Sequence, residues 1–458
     1  MPSDRPSPLP PWVKVSFWTG LALFLGWLGW VQLIRDETVR APEGFLARTE
    51  TVVYQPEENG LELIRELESI RSPQGDWRQR KQQQEILKLR SPWNQEVMQS
   101  LVDAAPAVER LVRQTLQKPT RPAPPQADRS DPFPWSPEED FSLWYSGDDF
   151  ERATNIFLAK ALDLARQNKG MEARRWITEA RNMALRYWAV AGSPDRSKLA
   201  MHFLVQTDFF VFHQLAGYPA SAEDLAEAPH LFTGPGFLHE AFLRLLAQDY
   251  WQQMEYRAQS RKDSGNQADP MQLLPMCCEG PMPPDWWIRT RYKQGAEQNR
   301  FTDIYSQLGE VIFLEGPKGR QRVADLYAAF KLESKLSLVS WEPNRTGRVL
   351  ASTAALRLLD DESWFFAIEA LRRCCLTAVA AKRWSLNHQG HLPGSLQELV
   401  PDYLPGVPLD PYDAKPVRWD AASGTVYVIG ADGVDDVPVM PAGRFVSLPK
   451  TGAGARLP

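Results

Sequence analysis

The chain has 458 residues, and 52 Lys and Arg stand against 57 Asp and Glu for a formal net charge of −5. That length exceeds what one core usually serves, so two or three units are expected, and the near balance of charge gives no footing for a polyanion such as nucleic acid. Seventeen Trp and 38 Pro suit a protein with both wet and apolar surfaces and many irregular connections.

The first predicted element runs from Val15 to Ile34, a stretch without a charged side chain. At about 1.5 Å rise per residue it covers roughly 30 Å, the thickness of a bilayer core. Trp12 and Trp30 lie near its ends, where indoles favour the headgroup zone, and Lys14 and Arg35 close it off. Leu21, Phe24, Trp27, Leu28 and Val31 are accompanied by apolar residues on every other face, unlike the one-sided pattern of a helix resting on a soluble core. The run is longer than the apolar core of a signal peptide and is followed by Arg35, Asp36 and Glu37 instead of a small-x-small site. It therefore reads as a single transmembrane helix, with the membrane as partner. Arg5 and Lys14 before it nearly balance Arg35 and Arg40 after it, and the short leading tail tips the orientation toward N-inside.

Helices are predicted next at Glu58 to Ile70, Trp77 to Leu89 and Asn94 to Gln117, the last with Pro106 inside it. Lys118 to Pro137, with seven prolines, is a linker or extended arm. From Phe150 to Ala191 the pattern is most regular: Ala153, Ile156, Phe157, Ala161, Leu162 and Ala165 form one apolar face, Asn168 to Gly170 turn the chain, and Ala173, Trp176, Ile177, Ala180 and Ala184 begin a second. One such antiparallel pair resembles a tetratricopeptide-type unit, and an ordinary helical hairpin in a bundle is the alternative. Further helices are expected at Ser197 to Leu215, Gly236 to Ala258, Val323 to Leu336, Thr346 to Leu359 and Glu362 to His388. Gly265 to Arg291 is an irregular loop rich in Pro and Met.

Chemistry-bearing motifs are sparse. The cysteines form two adjacent pairs, Cys277 with Cys278 in the loop and Cys374 with Cys375 in a helix, and neither has zinc-site spacing. Neighbours on a helix point about 100° apart, so a bridge within the second pair would distort it. Loop-to-helix bridging is the oxidised alternative, contributing about 4 to 5 kcal/mol in an oxidising compartment, and buried thiols are the reduced one. His388 and His391 flank Gly390 at a helix end, where imidazole commonly serves the helix terminus. His239 and Glu240 lack the second His of a metalloprotease helix, and no phosphate-binding loop, nucleophile elbow or dinucleotide fingerprint occurs.

Trp384 to Asp436 has a more individual character. It runs through Asn387, Gly390, His391, Leu392, Pro393, Gly394, Ser395 and Leu396, then Leu399, Val400, Pro401, Asp402, Tyr403 and Leu404. Pro408 to Pro416 follow, and Gly430, Ala431, Asp432 and Gly433 precede Asp435 and Asp436. Asn387 to Gly390 are suited to end a helix, Ser395 to cap a short one, and Pro401, Pro405 and Pro408 to force an extended crossing. Val417 to Trp419 and Val426 to Ile429 then read as a hairpin turned by Ala421 to Gly424, with Asp410 as a structural turn residue whose loss costs on the order of 1 kcal/mol. The segment resembles the C-terminal module of type II secretion major pseudopilins, and more closely the ending of a group of bacterial envelope proteins. That resemblance implies calcium held after the last strand, with Asp432, Asp435 and Asp436 at the acidic positions and Val437, Pro438 and Val439 where that family has glycines. No Gly-Phe processing site followed by Glu precedes the membrane helix, as filament assembly would need.

The expected architecture is mainly α, with a tail and anchor at 1–40, a helical segment at 41–117, a linker at 118–137, a helical domain at 138–383, a pseudopilin-like α+β module with a β-hairpin at 384–445 and a tail at 446–458. The functional expectation is a noncatalytic scaffold or interaction protein of the bacterial inner membrane, with its large domain outside the cytoplasm and a protein partner. The alternative is an enzyme with a site near the Cys277 to Trp287 loop.

Overall fold

The computed structural model describes residues 11–33, 38–46, 77–87, 91–117, 137–190, 194–217, 220–227, 232, 237–263, 292–334, 344–437, 445–448 and 452–457. Its helices are α1 (Pro11–Leu33), α2 (Trp77–Leu87), α3 (Gln95–Gln117), α4 (Pro137–Arg166), α5 (Gly170–Val190), α6 (Pro194–Gly217), α7 (Ala222–Ala226), α8 (Phe237–Asp263), α9 (Gln294–Val311), α10 (Gly316–Glu333) and α11 (Arg345–Asn387). Four short strands follow: β1 (Arg418–Asp420), β2 (Thr425–Val428), β3 (Phe445–Leu448) and β4 (Gly452–Arg456). The chain is thus mainly helical, with a small antiparallel sheet at its end. The expected helix at Glu58 to Ile70, the loop at Gly265 to Arg291 with Cys277, Cys278, Trp286 and Trp287, and positions 118–136 of the linker lie outside the described residues.

Two compact units are formed, one from Met1–Glu43, Gln253–Gln307 and Leu326–Arg357, the other from Gly44–Gln252, Leu308–Asp325 and Leu358–Pro458. In the first, α1 is a continuous helix, and among its described side chains Val15 is 65% exposed, Phe17 and Trp18 64% each and Leu23 71%, while Leu21 and Phe24 are half-buried. Among the described residues, no helix is long and apolar enough to cross a membrane, and the side chains of α1 are described from Val15 to Gly26.

Just after α1 the backbone docks on α9, where the Asn299 amide works both ways: Arg40 N donates to Asn299 Oδ1 at 2.8 Å and Asn299 Nδ2 donates to Thr38 O at 3.0 Å. Arg40 also reaches Asp303 at 2.9 Å. The interior of this unit is unusually polar. Glu297 and Arg257 are both buried and joined at 3.0 Å, with the Tyr292 hydroxyl donating to the same carboxylate and the guanidinium 4.0 Å from the Phe301 ring centre. A second buried carboxylate, Glu333, accepts from Arg300 at 2.5 Å, from Ser352 at 2.7 Å and from Arg348. Burial works against its ionisation, and these donors outweigh burial and hold Glu333 below the usual carboxylate range.

In the second unit, α3, α4, α5 and α6 pack in succession. The α4–α5 hairpin buries the two apolar faces read from the sequence, with the Phe157 and Trp176 rings 5.0 Å apart. Asn168 makes its turn at φ 60°, and Lys169 N donates to Leu164 O at 3.0 Å, which satisfies a carbonyl that the helix end would leave open. α3 runs through Pro106 without interruption. Instead of the two expected helices, Thr346 to Leu359 and Glu362 to His388, residues 345–387 form one, and in its second-unit part Asp361 and Glu362 are both taken up by partners. Lys198 pairs with Asp361, and Arg320 holds the fully buried Glu362 at 2.7 Å while Phe313 N donates to it at 3.1 Å.

The sheet order is β1-β2-β4-β3, all antiparallel, so the chain from 445 onward adds two strands to the expected hairpin and is not a tail. Ala453 and Ala455 are buried in the same hydrophobic cluster as Cys374, Ala378 and Ala381 of α11. The short side chains let β4 lie close to that helix, and Cys374 Sγ is 3.8 Å from Ala453 O.

Candidate functional site

A concentration of paired charge in the second unit lies in the module that follows α11. Gln389 and Gly390, at φ 58° and 87°, end that helix, and Gly390 N donates to Ser385 O at 2.9 Å. His388 stacks on Trp384 with ring centres 3.8 Å apart, and its Nδ1 lies 2.7 Å from Trp384 O, so it serves the helix end. His391 is exposed. After the turn, Glu398 accepts the Ser395 backbone N–H at 2.9 Å, which starts a one-turn 3-10 helix (Leu396–Leu399) that buries Leu396 and Leu399.

The proline crossing then delivers Asp410 into the core, where it is 0% exposed. Its carboxylate accepts from Tyr412 N at 2.8 Å, from Ile429 N at 2.9 Å and from Arg418 Nη1 at 2.5 Å. The Tyr412 bond is the turn contact expected of an Asp before Pro411, whereas the Ile429 bond ties the turn to the end of β2. Arg418, the first residue of β1, also donates from Nη2 to Asp413 Oδ2 at 2.7 Å, and its Nε is ion-paired with Asp435 Oδ2 at 3.0 Å. Tyr427 stands opposite it on β2. Burial pushes Asp410 up from its ordinary value, while the Tyr412 and Ile429 amides and the guanidinium pull the other way. Asp413 is held below the usual range, where the Lys415 amide and Arg418 overcome burial. Arg418 is burdened by burial too, yet its carboxylates raise it above an already high value. Burial and Asp435 push the Tyr427 hydroxyl up.

The three aspartates expected at a calcium site sit here in other roles. Asp432 Oδ1 accepts from Val434 N at 3.1 Å, Asp435 is taken by Arg418, and Asp436 is exposed. Among the described residues, no group of three or more His, Cys, Asp or Glu side chains is arranged to hold a metal ion. A hard cation needs about six or more oxygens, and these side chains do not converge to supply them.

Cys374 and Cys375 are buried free thiols, raised by burial, and their expected bridge partners Cys277 and Cys278 lie outside the described residues. The alternative enzyme site near Cys277 to Trp287 falls there too. Arg418 was not singled out in the sequence because its three partners lie 5, 8 and 17 positions away with no local motif among them. Set against known proteins, the chain matches no family model, no curated protein and no solved structure.

Proposed function

We propose that the chain is a single-pass, membrane-anchored protein of the bacterial envelope whose helical units act as a noncatalytic scaffold or interaction surface outside the cytoplasm. The observation that carries this reading is α1: Phe17 and Trp18 are successive and both exposed, Leu23 and Leu25 likewise, so apolar surface points outward in several directions. Such a helix is costly in water and suited to lipid, and the uncharged run continues in the sequence to Ile34. Further support comes from the use made of buried charge. Glu297, Glu333, Glu362 and Asp410 each bond to neighbouring donors, an arrangement suited to holding elements together.

The test is fractionation of the full-length protein and of a variant lacking Met1 to Glu37. The full chain is expected to stay in the pellet after a carbonate wash and the truncated one in the supernatant, and a soluble full chain would overturn the anchor. Protease added to intact spheroplasts should cut the large domain; complete protection would place it on the cytoplasmic side.

A further inference from the structure

Three carboxylate oxygens stand around one side chain in the C-terminal module: Asp410 Oδ2 and Asp413 Oδ2 from one turn, and Asp435 Oδ2 from the segment beyond β2. Gathering carboxylates from separated segments is what a divalent cation does in an extracellular module. Here each of the three oxygens lies 2.5 to 3.0 Å from a different nitrogen of one guanidinium, Nη1, Nη2 and Nε. We propose that the Arg418 guanidinium is the permanent cation of this module and leaves it without a requirement for calcium.

The geometry supports this on three counts. First, all three nitrogens of the planar fork stand against a carboxylate oxygen, two of them through N–H bonds, and a guanidinium held in this way is a three-way connector that a lysine ammonium does not reproduce. Second, these oxygens are already engaged by the guanidinium nitrogens at 2.5 to 3.0 Å. They cannot stand about 2.3–2.6 Å from a calcium ion while donated N–H bonds fill the space between them. Third, Arg418 is anchored from behind by the β1–β2 ladder, where it pairs with Tyr427, and its side chain is only 15% exposed. Asp435 differs from its companions, since its side chain is 60% exposed. It is the most exposed arm of the connector, and through it the segment from Gly430 to Val437 is fastened to the sheet.

The experiment is hydrogen exchange on the full-length protein in detergent, read at the amides of Tyr412 and Ile429, which donate to Asp410. Wild-type protein is compared in millimolar calcium and in chelator, and beside it Arg418→Ala and Arg418→Lys. The wild-type amides are expected to exchange equally slowly in both media, and both variants to exchange at least about tenfold faster, as loss of a charged hydrogen bond implies. Arg418→Lys guards against a misfolded alanine variant, because it keeps a positive charge and removes only the three-way geometry. Calcium-dependent protection in the wild type would overturn the proposal, and so would undiminished protection in Arg418→Lys.

Discussion

Asp410 is where a single side chain carries most. Its turn contact alone would make Asp410→Ala a loss on the order of 1 kcal/mol, but the mutation also strips Ile429 N and the mostly buried Arg418 of their acceptor. We expect about 3 kcal/mol, measured by chemical denaturation and unaltered by calcium. Glu333 gives the module's counterpart in the first unit. Its value in the folded state lies below its unfolded value, so its contribution is present above the ordinary Glu value of about 4.3 and is lost as pH falls through the lower folded value. Glu333→Gln should therefore be less stable than wild type at pH 7, with the difference shrinking below about pH 4 in parallel denaturation curves. Of these two residues, only Asp410 was legible beforehand, since Asp before Pro announces its turn while nothing near Glu333 announces Arg300, Arg348 or Ser352.

Among the elements, those with a clean apolar stripe were readable and those with a polar interior were not. The α4–α5 hairpin followed its spacing closely, because alanines, aliphatics and aromatics recur on its buried faces and Thr154 and Asp163 are the only polar residues buried with them among the described part of α4. By contrast α9 escaped notice: Glu297, Asn299 and Thr302 face inward, and a sequence cannot show that Arg257 and the backbone of Thr38 and Arg40 will satisfy the first two. Likewise Gly452 to Arg456 reads as a coil, and becomes a strand because small residues fit against α11. The polar interior of α11 at Glu362 depends on Arg320 in the same sense. Arg320→Ala would leave the buried Glu362 with the Phe313 amide and no guanidinium, and should cost about 3 to 5 kcal/mol in a denaturant titration.

For the molecule as a whole, the chain just after α1 is held to α9 of the first unit by the docked backbone at Thr38 and Arg40. Removing Met1 to Glu37 keeps this junction, whereas removing Met1 to Arg40 deletes two hydrogen bonds and an ion pair. Both truncated proteins are expected to be soluble, with the shorter one about 1 to 3 kcal/mol less stable by chemical denaturation. Equal stability would show that Asn299 contributes nothing through these contacts. The docking has a further effect on reach. Between Leu33, where α1 ends, and Thr38, held by Asn299, lie only residues 34–37, and a fully extended chain of that span covers about 18 Å. With α1 in a bilayer, the Asn299 side of the unit is leashed within that distance of the headgroups. Under the proposed anchoring, a partner held in the same membrane would find it by a search in two dimensions instead of three.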